Sequence, residues 1–231
     1  MTTADELVIL TYGIALLIER LGDCKLNIGV DMDGVLTDMQ EFNRRHAPKY
    51  FKKKFDKDVI DIESYDIREM FECTEKEFLT YWKSHLFRYA ITEPAREDAK
   101  RIVAKLRAEG HGIFIISKRV FANRKSFMGR FMRTVVKNWL WRNGIQYDEI
   151  VYCDNDIHDS KQAVCMEKNI EVMIDDEAVN INAIAPVARV ICFGTSYNRD
   201  CEGENITRAH GWDEIYSLIN NMEMRLEPSA L

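Results

Sequence analysis

The chain has only four prolines, no low-complexity tract and no apolar run of the roughly 20 residues that a membrane-spanning helix needs. Its six cysteines (Cys24, Cys73, Cys153, Cys165, Cys192 and Cys201) show no C-x-x-C spacing, and no secretory signal precedes them. That pattern argues against a disulfide framework and offers no zinc-ligand spacing, and it predicts a reduced, cytoplasmic setting. A basic surplus is also missing. Lys and Arg number 32 against 38 Asp and Glu, for a net charge of -6, which argues against a partner that is a nucleic-acid polymer. A small anionic ligand remains compatible, provided local cations or a metal offset the field. The most apolar stretch, "LVILTYGIALLI" at 7–18, is bounded by Asp5, Glu6, Glu19 and Arg20. It is too short to span a membrane, so no membrane partner is expected. The stretch predicts an amino-terminal helix over 1–26, packed on the core or in a homo-oligomer contact.

What is present is a core-forming alternation. The 231 residues are 46% apolar, enough for one substantial core and a smaller subdomain. Brief runs rich in Ile and Val, "IGVD" (28–31), "GIFIIS" (112–117), "EIVYC" (149–153), "EVMID" (171–175) and "ARVICF" (188–193), are apolar nearly throughout. Parallel strands buried on both faces read this way. Amphipathic segments lie between them. Ala95, Ala99, Ile102, Val103 and Leu106 make one stripe, with Pro94 in the first turn and Gly110 at the stop, and further helices fit 131–143, 160–168, 178–185 and 212–221. Strand and helix in alternation predict an α/β, Rossmann-like, doubly wound parallel sheet over 27–38 and 94–231. Residues 39–93 break the alternation with helical signals only, including "TEKE" at 74–77, a capping box. This insertion after the first strand is expected to overhang the carboxyl edge of the sheet, where ligands of such sheets bind.

The first strand runs into "DMDGVLTD". A period of two along a strand puts Asp31 and Asp33 on one side, and Gly34 lets the backbone turn beside them. Two carboxylates suit a hard divalent cation, best magnesium, which is commonly held by one or two carboxylates plus water and substrate phosphate. One carboxylate can then attack phosphorus while the other exchanges protons. An acidic turn capping a helix, or a calcium loop, gives the same short pattern. Other groups fall at the same edge: Ser117 at the end of a strand, the cations Lys118 and Arg119 after it, Lys161 at a helix start, and Asp175 and Asp176 closing a fourth strand. A hydroxyl, cations and a positive helix end can together neutralise phosphate charge.

In order and placement, D-x-D-G-V, strand-ending Ser, Lys and strand-ending Asp-Asp resemble the four motifs of the haloacid dehalogenase (HAD) superfamily, over about residues 27–220. That resemblance implies a magnesium-dependent phosphatase. Asp31 would be the nucleophile that forms an aspartyl-phosphate, and Asp33 the general acid/base whose backbone carbonyl reaches the metal. Ser117 and Lys161 would hold the phosphoryl group. Asp31, Asp33, Asp175 and Asp176 would surround the metal, with Asp176 put ahead of Asp175 as direct ligand although sequence alone does not rank the two, and 39–93 would be the cap. The dehalogenase branch lacks the second aspartate, so Asp33 favours phosphate chemistry. "DMDGVLTD", "PAREDAKRIVAKLRAEGHGIFIISKR", "WLWRNGIQYDEIVY", "VMIDDEAVNI" and "FGTSYNR" further resemble the 5'(3')-deoxyribonucleotidase branch. Lys118 replaces a residue commonly small there, and Ser196 a common proline. The expected substrate is a small phosphorylated metabolite, with nucleoside monophosphates foremost. A sugar-phosphate phosphatase and a catalytically silent binding protein on the same fold are the alternatives.

Other features read blandly. Asp154, Asp156, His158 and Asp159 form a polar loop with Asp159 as helix N-cap, and Arg130, Arg133 and Lys137 form a solvated helix face. Phe42, Tyr65 and Trp82 read first as cap core, with stacking on a base or ring as the alternative, and the Asn205 sequon as chance. Arg119, two residues past Ser117, reads as functional.

Overall fold

The structure is a computed structural model that describes residues 25–226 except 155, 156, 158 and 159. The apolar stretch at 7–18, with its expected subunit contact, and Asp156, His158 and Asp159 lie outside these residues. The Ile- and Val-rich runs become parallel strands β1 (Asn27–Val30), β2 (Gly112–Ser117), β3 (Glu149–Tyr152), β4 (Val172–Asp175) and β5 (Arg189–Phe193), joined by β6 (Ile206–Ala209). The order is β3-β2-β1-β4-β5-β6, and every neighbouring pair is parallel. From β1 the chain winds first toward β3 and later toward β6, so the switch in direction falls beside β1. A crevice opens there at the carboxyl ends.

Helices cover both faces. In α4 (Ala99–Ala108) the stripe Ala99, Ile102, Val103 and Leu106 is buried, as its spacing predicts. It joins Ile28, Val30, Trp139 and Trp212 in the larger core cluster. On the other face Cys165, Met173, Ile181 and Cys192 pack together, and the five described cysteines are free and buried. The remaining core helices are α5 (Phe127–Arg142), α6 (Ser160–Glu167), α7 (Ala178–Ile184) and α8 (Trp212–Leu226). The expectation for Pro94 is corrected. It precedes the helix, because Arg96 N–H bonds the Leu36 carbonyl at 2.8 Å and Ala95 bridges Thr37, which holds that stretch extended. Helix α5 begins at Phe127, earlier than expected, with Ser126 accepting from Gly129 N–H as its cap.

Residues 39–93 are helical throughout their regular structure: α1 (Met39–Phe55), α2 (Ile67–Phe71) and α3 (Glu75–Thr92). The Thr74–Glu77 capping box is present. These helices own a separate apolar cluster in which Phe51 stacks on Phe71 at 4.3 Å, with Met70 and Tyr81 beside them. Two connectors tie this layer to the sheet. They are held by the Thr37–Ala95 bridge and by Arg96, which donates to the Gly34 carbonyl and to Asp38.

Candidate active site

Strand β1 ends at Val30, so Asp31 is the first residue beyond it, its N–H tied to the Ile174 carbonyl of β4 at 2.9 Å. Its carboxylate meets Lys161 Nζ at 2.8 Å, and the same ammonium donates to Asp175 Oδ2 at 2.6 Å. All three side chains are buried. Burial pushes the Asp31 carboxyl up to about 7 against the pull of Lys161, with Asp175 and Asp33 adding to the rise. Burial alone would lower Lys161, but Asp175 and Asp31 outweigh it and hold the ammonium charged above its usual range.

Asp175 and Asp176 separate in role. Asp175 is fully engaged, by Lys161 on Oδ2 and by Glu177 N–H at 3.0 Å and Asn180 Nδ2 at 3.3 Å on Oδ1. Asp176 lines an open cavity and accepts from the Tyr197 hydroxyl on Oδ2. Burial raises the Asp176 carboxyl well above its ordinary value, and Asp31 and Asp175 raise it further. Asp31, Asp175 and Asp176 bring oxygens within 4.8 Å of one another. Three clustered acids beside a single lysine suit a hard divalent cation. Gly34, at φ +96°, sits against this cluster, and a Cβ there would fall 1.9 Å from Asp176 Oδ2. Gly34→Ala is therefore expected to displace Asp176 and reduce turnover at least about 100-fold, with folding preserved by circular dichroism. Parent-like turnover would contradict that placement.

Asp31 and Asp33 both line one cavity, although the chain leaves the strand at Val30, so the period of two does not by itself set their directions. The Asp33 carboxylate lies outside the acidic group, leaving its backbone carbonyl for any metal role. Arg119 grips the carboxylate through Nη2 and through Nε at 3.1 Å, and the Tyr89 hydroxyl donates to it at 2.7 Å. Burial opposes ionisation of Asp33, yet Arg119 outweighs it and holds the carboxyl below its ordinary value. The Tyr89 hydroxyl also shares a hydrogen bond with Thr37 Oγ1 at 2.6 Å. Arg119 is 3% exposed, and its Nη1 has no partner among the described residues. Ser117, at the end of β2, is buried, and its Oγ accepts from Arg119 N–H at 3.2 Å.

Above the acids lies a cavity of about 990 Å³, lined by Tyr65, Phe78, Trp82 and Phe121 and by the cations Arg68, Lys83 and Lys118. The bland reading holds for Phe42, fully buried between His46 and Tyr89, while Tyr65 and Trp82 reach the cavity. Arg130 and Lys137 are exposed as expected, and Arg133 fastens the carbonyls of Ala122 and Arg124. Tyr89 and Tyr197 were not legible as site residues, because each acts through a contact distant in sequence, and Asn180 reads as an ordinary helix residue until its bond to Asp175 is seen. Among the described residues no helix is long and apolar enough to cross a membrane.

A nucleotidase of Clostridium acetobutylicum is 23% identical over 199 residues, covering 86% of this chain and 95% of that protein. A protein of Chlorobaculum tepidum assigned as a 5'(3')-deoxyribonucleotidase is 27% identical over 203 residues, 83% of this chain and 89% of its own length. The crystal structure of a predicted phosphatase from Clostridium acetobutylicum superposes with a TM-score of 0.57 at 17% identity, over 85% of this chain and 99% of that one. The profile of the 5' nucleotidase, deoxy (pyrimidine), cytosolic type C family matches residues 25–226. The chain belongs to that family, and it is a phosphatase on the HAD fold.

Proposed function

We propose that the protein hydrolyses nucleoside monophosphates with magnesium, through an aspartyl-phosphate on Asp31. One observation carries the reading: Asp31, Asp33, Lys161 and Asp176 open into the same cavity as Trp82, Tyr65 and Phe121. Phosphate chemistry at the floor and flat apolar rings above it fit a phosphorylated planar molecule.

Asp31, Asp176 and the Asp33 backbone carbonyl would hold the magnesium ion, which when bound supplies positive charge to the phosphate oxygens and to the clustered acids. Asp31 Oδ attacks phosphorus, and the bond from phosphorus to the ester oxygen breaks. Lys161, beside Asp31, and Ser117 hold the phosphoryl oxygens. The leaving oxygen takes its proton from the Asp33 carboxyl. For this, Asp33 must release Arg119, which otherwise holds it ionised, and take up a proton from solvent; the phosphate offers that guanidinium a replacement acceptor, Nη1 being a donor without a partner among the described residues. Water then attacks the phosphorus of the aspartyl-phosphate, Asp33 takes the water proton, and phosphate leaves with Asp31 regenerated.

Selection of the leaving group falls to residues 39–93, the cap that overhangs the site. Nucleoside monophosphates are expected to exceed hexose phosphates by at least about tenfold in kcat/KM, since stacking on an aromatic ring is worth about 1 to 3 kcal/mol per base. Trp82→Ala should erase most of that preference and leave turnover of a small phosphoester near the parent value. A phosphate-release assay with magnesium checks both. Sugar phosphates winning by tenfold would replace the nucleotide reading with the sugar-phosphate one.

A further inference from the structure

Asp176 lines the cavity and is held by a residue, Tyr197, that is not among the cavity's lining. Tyr197, in the loop after β5, donates its hydroxyl to Asp176 Oδ2. The loop itself is locked: Asn198 Nδ2 donates to the Asp176 carbonyl at 2.7 Å and to the Phe193 carbonyl at 2.8 Å. Asn198 Oδ1 accepts from Thr195 N–H at 3.0 Å and from Arg208 at 2.8 Å. The cap closes over the other side of the loop. The Tyr65 ring lies 3.7 Å, centroid to centroid, from the Tyr197 ring. Gln40 Nε2 donates both to Ser196 Oγ at 3.0 Å and to the Glu63 carbonyl at 2.8 Å. A continuous chain of contacts therefore joins the cap to a carboxylate of the acidic cluster.

We propose that Tyr197 is a positioning residue for Asp176: its hydroxyl fixes one carboxylate oxygen and leaves the other for the cation, while Tyr65 of the cap keeps the Tyr197 ring in place. The inference rests on Asp176 being a magnesium ligand. A carboxylate on a freely turning side chain must give up rotamer freedom when it binds a cation, and a fixed one has already done so. The cap thereby contributes to metal affinity by way of the Tyr65–Tyr197 contact.

Isothermal titration of the full chain with magnesium chloride, without substrate, tests this. Tyr197→Phe keeps the ring and removes the hydroxyl, so the magnesium Kd should rise about tenfold. Thermal unfolding of the metal-free variant should stay close to the parent's, and turnover should return when magnesium is raised well above the weakened Kd. Tyr65→Leu, which leaves the hydroxyl in place, should raise the Kd by a smaller factor of about three. It also keeps the test decisive if Tyr197→Phe melts early. Parent-like magnesium binding in Tyr197→Phe, or in Tyr65→Leu, overturns the proposal while the magnesium reading stands. Tighter binding in Tyr197→Phe overturns it as well, because the hydroxyl would then be competing with the cation. A parent protein that binds no magnesium brings down the reading of Asp176, and this proposal with it.

Discussion

Asp31→Asn should lower turnover by about a thousandfold or more and leave the fold intact, as measured by phosphate release and thermal unfolding on the same preparation. The amide keeps the shape of the carboxylate and removes its charge, so it cannot attack phosphorus. Stability should not fall with it. In the metal-free protein Asp31 is buried and its carboxyl is pushed up to about 7 by that burial, so a neutral side chain there relieves a cost. A variant with a parent-like melting curve and more than a small fraction of parental turnover would remove Asp31 from the chemistry.

Lys161→Met should abolish activity and also destabilise the protein. This ammonium is 2% exposed and lies between Asp31 at 2.8 Å and Asp175 at 2.6 Å, both buried. Removing one partner of a buried ion pair costs about 3 to 5 kcal/mol, because the remaining charge has no compensation. For a chain of this size that corresponds to a fall in Tm of roughly 10 °C. The double variant Lys161→Met with Asp31→Asn should regain part of the loss, since one of the stranded acids is gone. Strict additivity of the two stability changes would contradict the coupling that the geometry requires.

These residues were within reach of the sequence because parallel strands announce themselves. β1, β2, β4 and β5 are apolar on both faces, so their ends, and the polar residues just past them, could be placed on one edge. β6, "ITRA", was missed: it is an edge strand whose Thr207 and Arg208 interrupt any apolar run, and Arg208 is committed to Asn198. The placement of Asp31, Ser117, Lys161 and Asp176 followed from the motifs. The pairing of the Asp33 carboxylate did not, because its partners, Arg119 and Tyr89, are distant in sequence. The ranking of Asp175 and Asp176 likewise depends on Lys161, Asn180 and Tyr197. The aromatics that line the cavity were hidden for a related reason. Phe42 and Trp82 both sit at helical spacing, yet Phe42 is covered by His46 and Tyr89 whereas Trp82 reaches the cavity, a difference set by how α1 and α3 pack.

The covalent step is the center of the account, and borohydride reduction tests it most directly. An acyl phosphate on an aspartate is reduced to the alcohol, which converts that residue to homoserine, whereas a free carboxylate is left unchanged. Enzyme mixed with a nucleoside monophosphate and magnesium, quenched in acid and reduced, should yield homoserine at position 31 in its peptide map, and none without substrate. No homoserine there, or homoserine at position 33 instead, would contradict it.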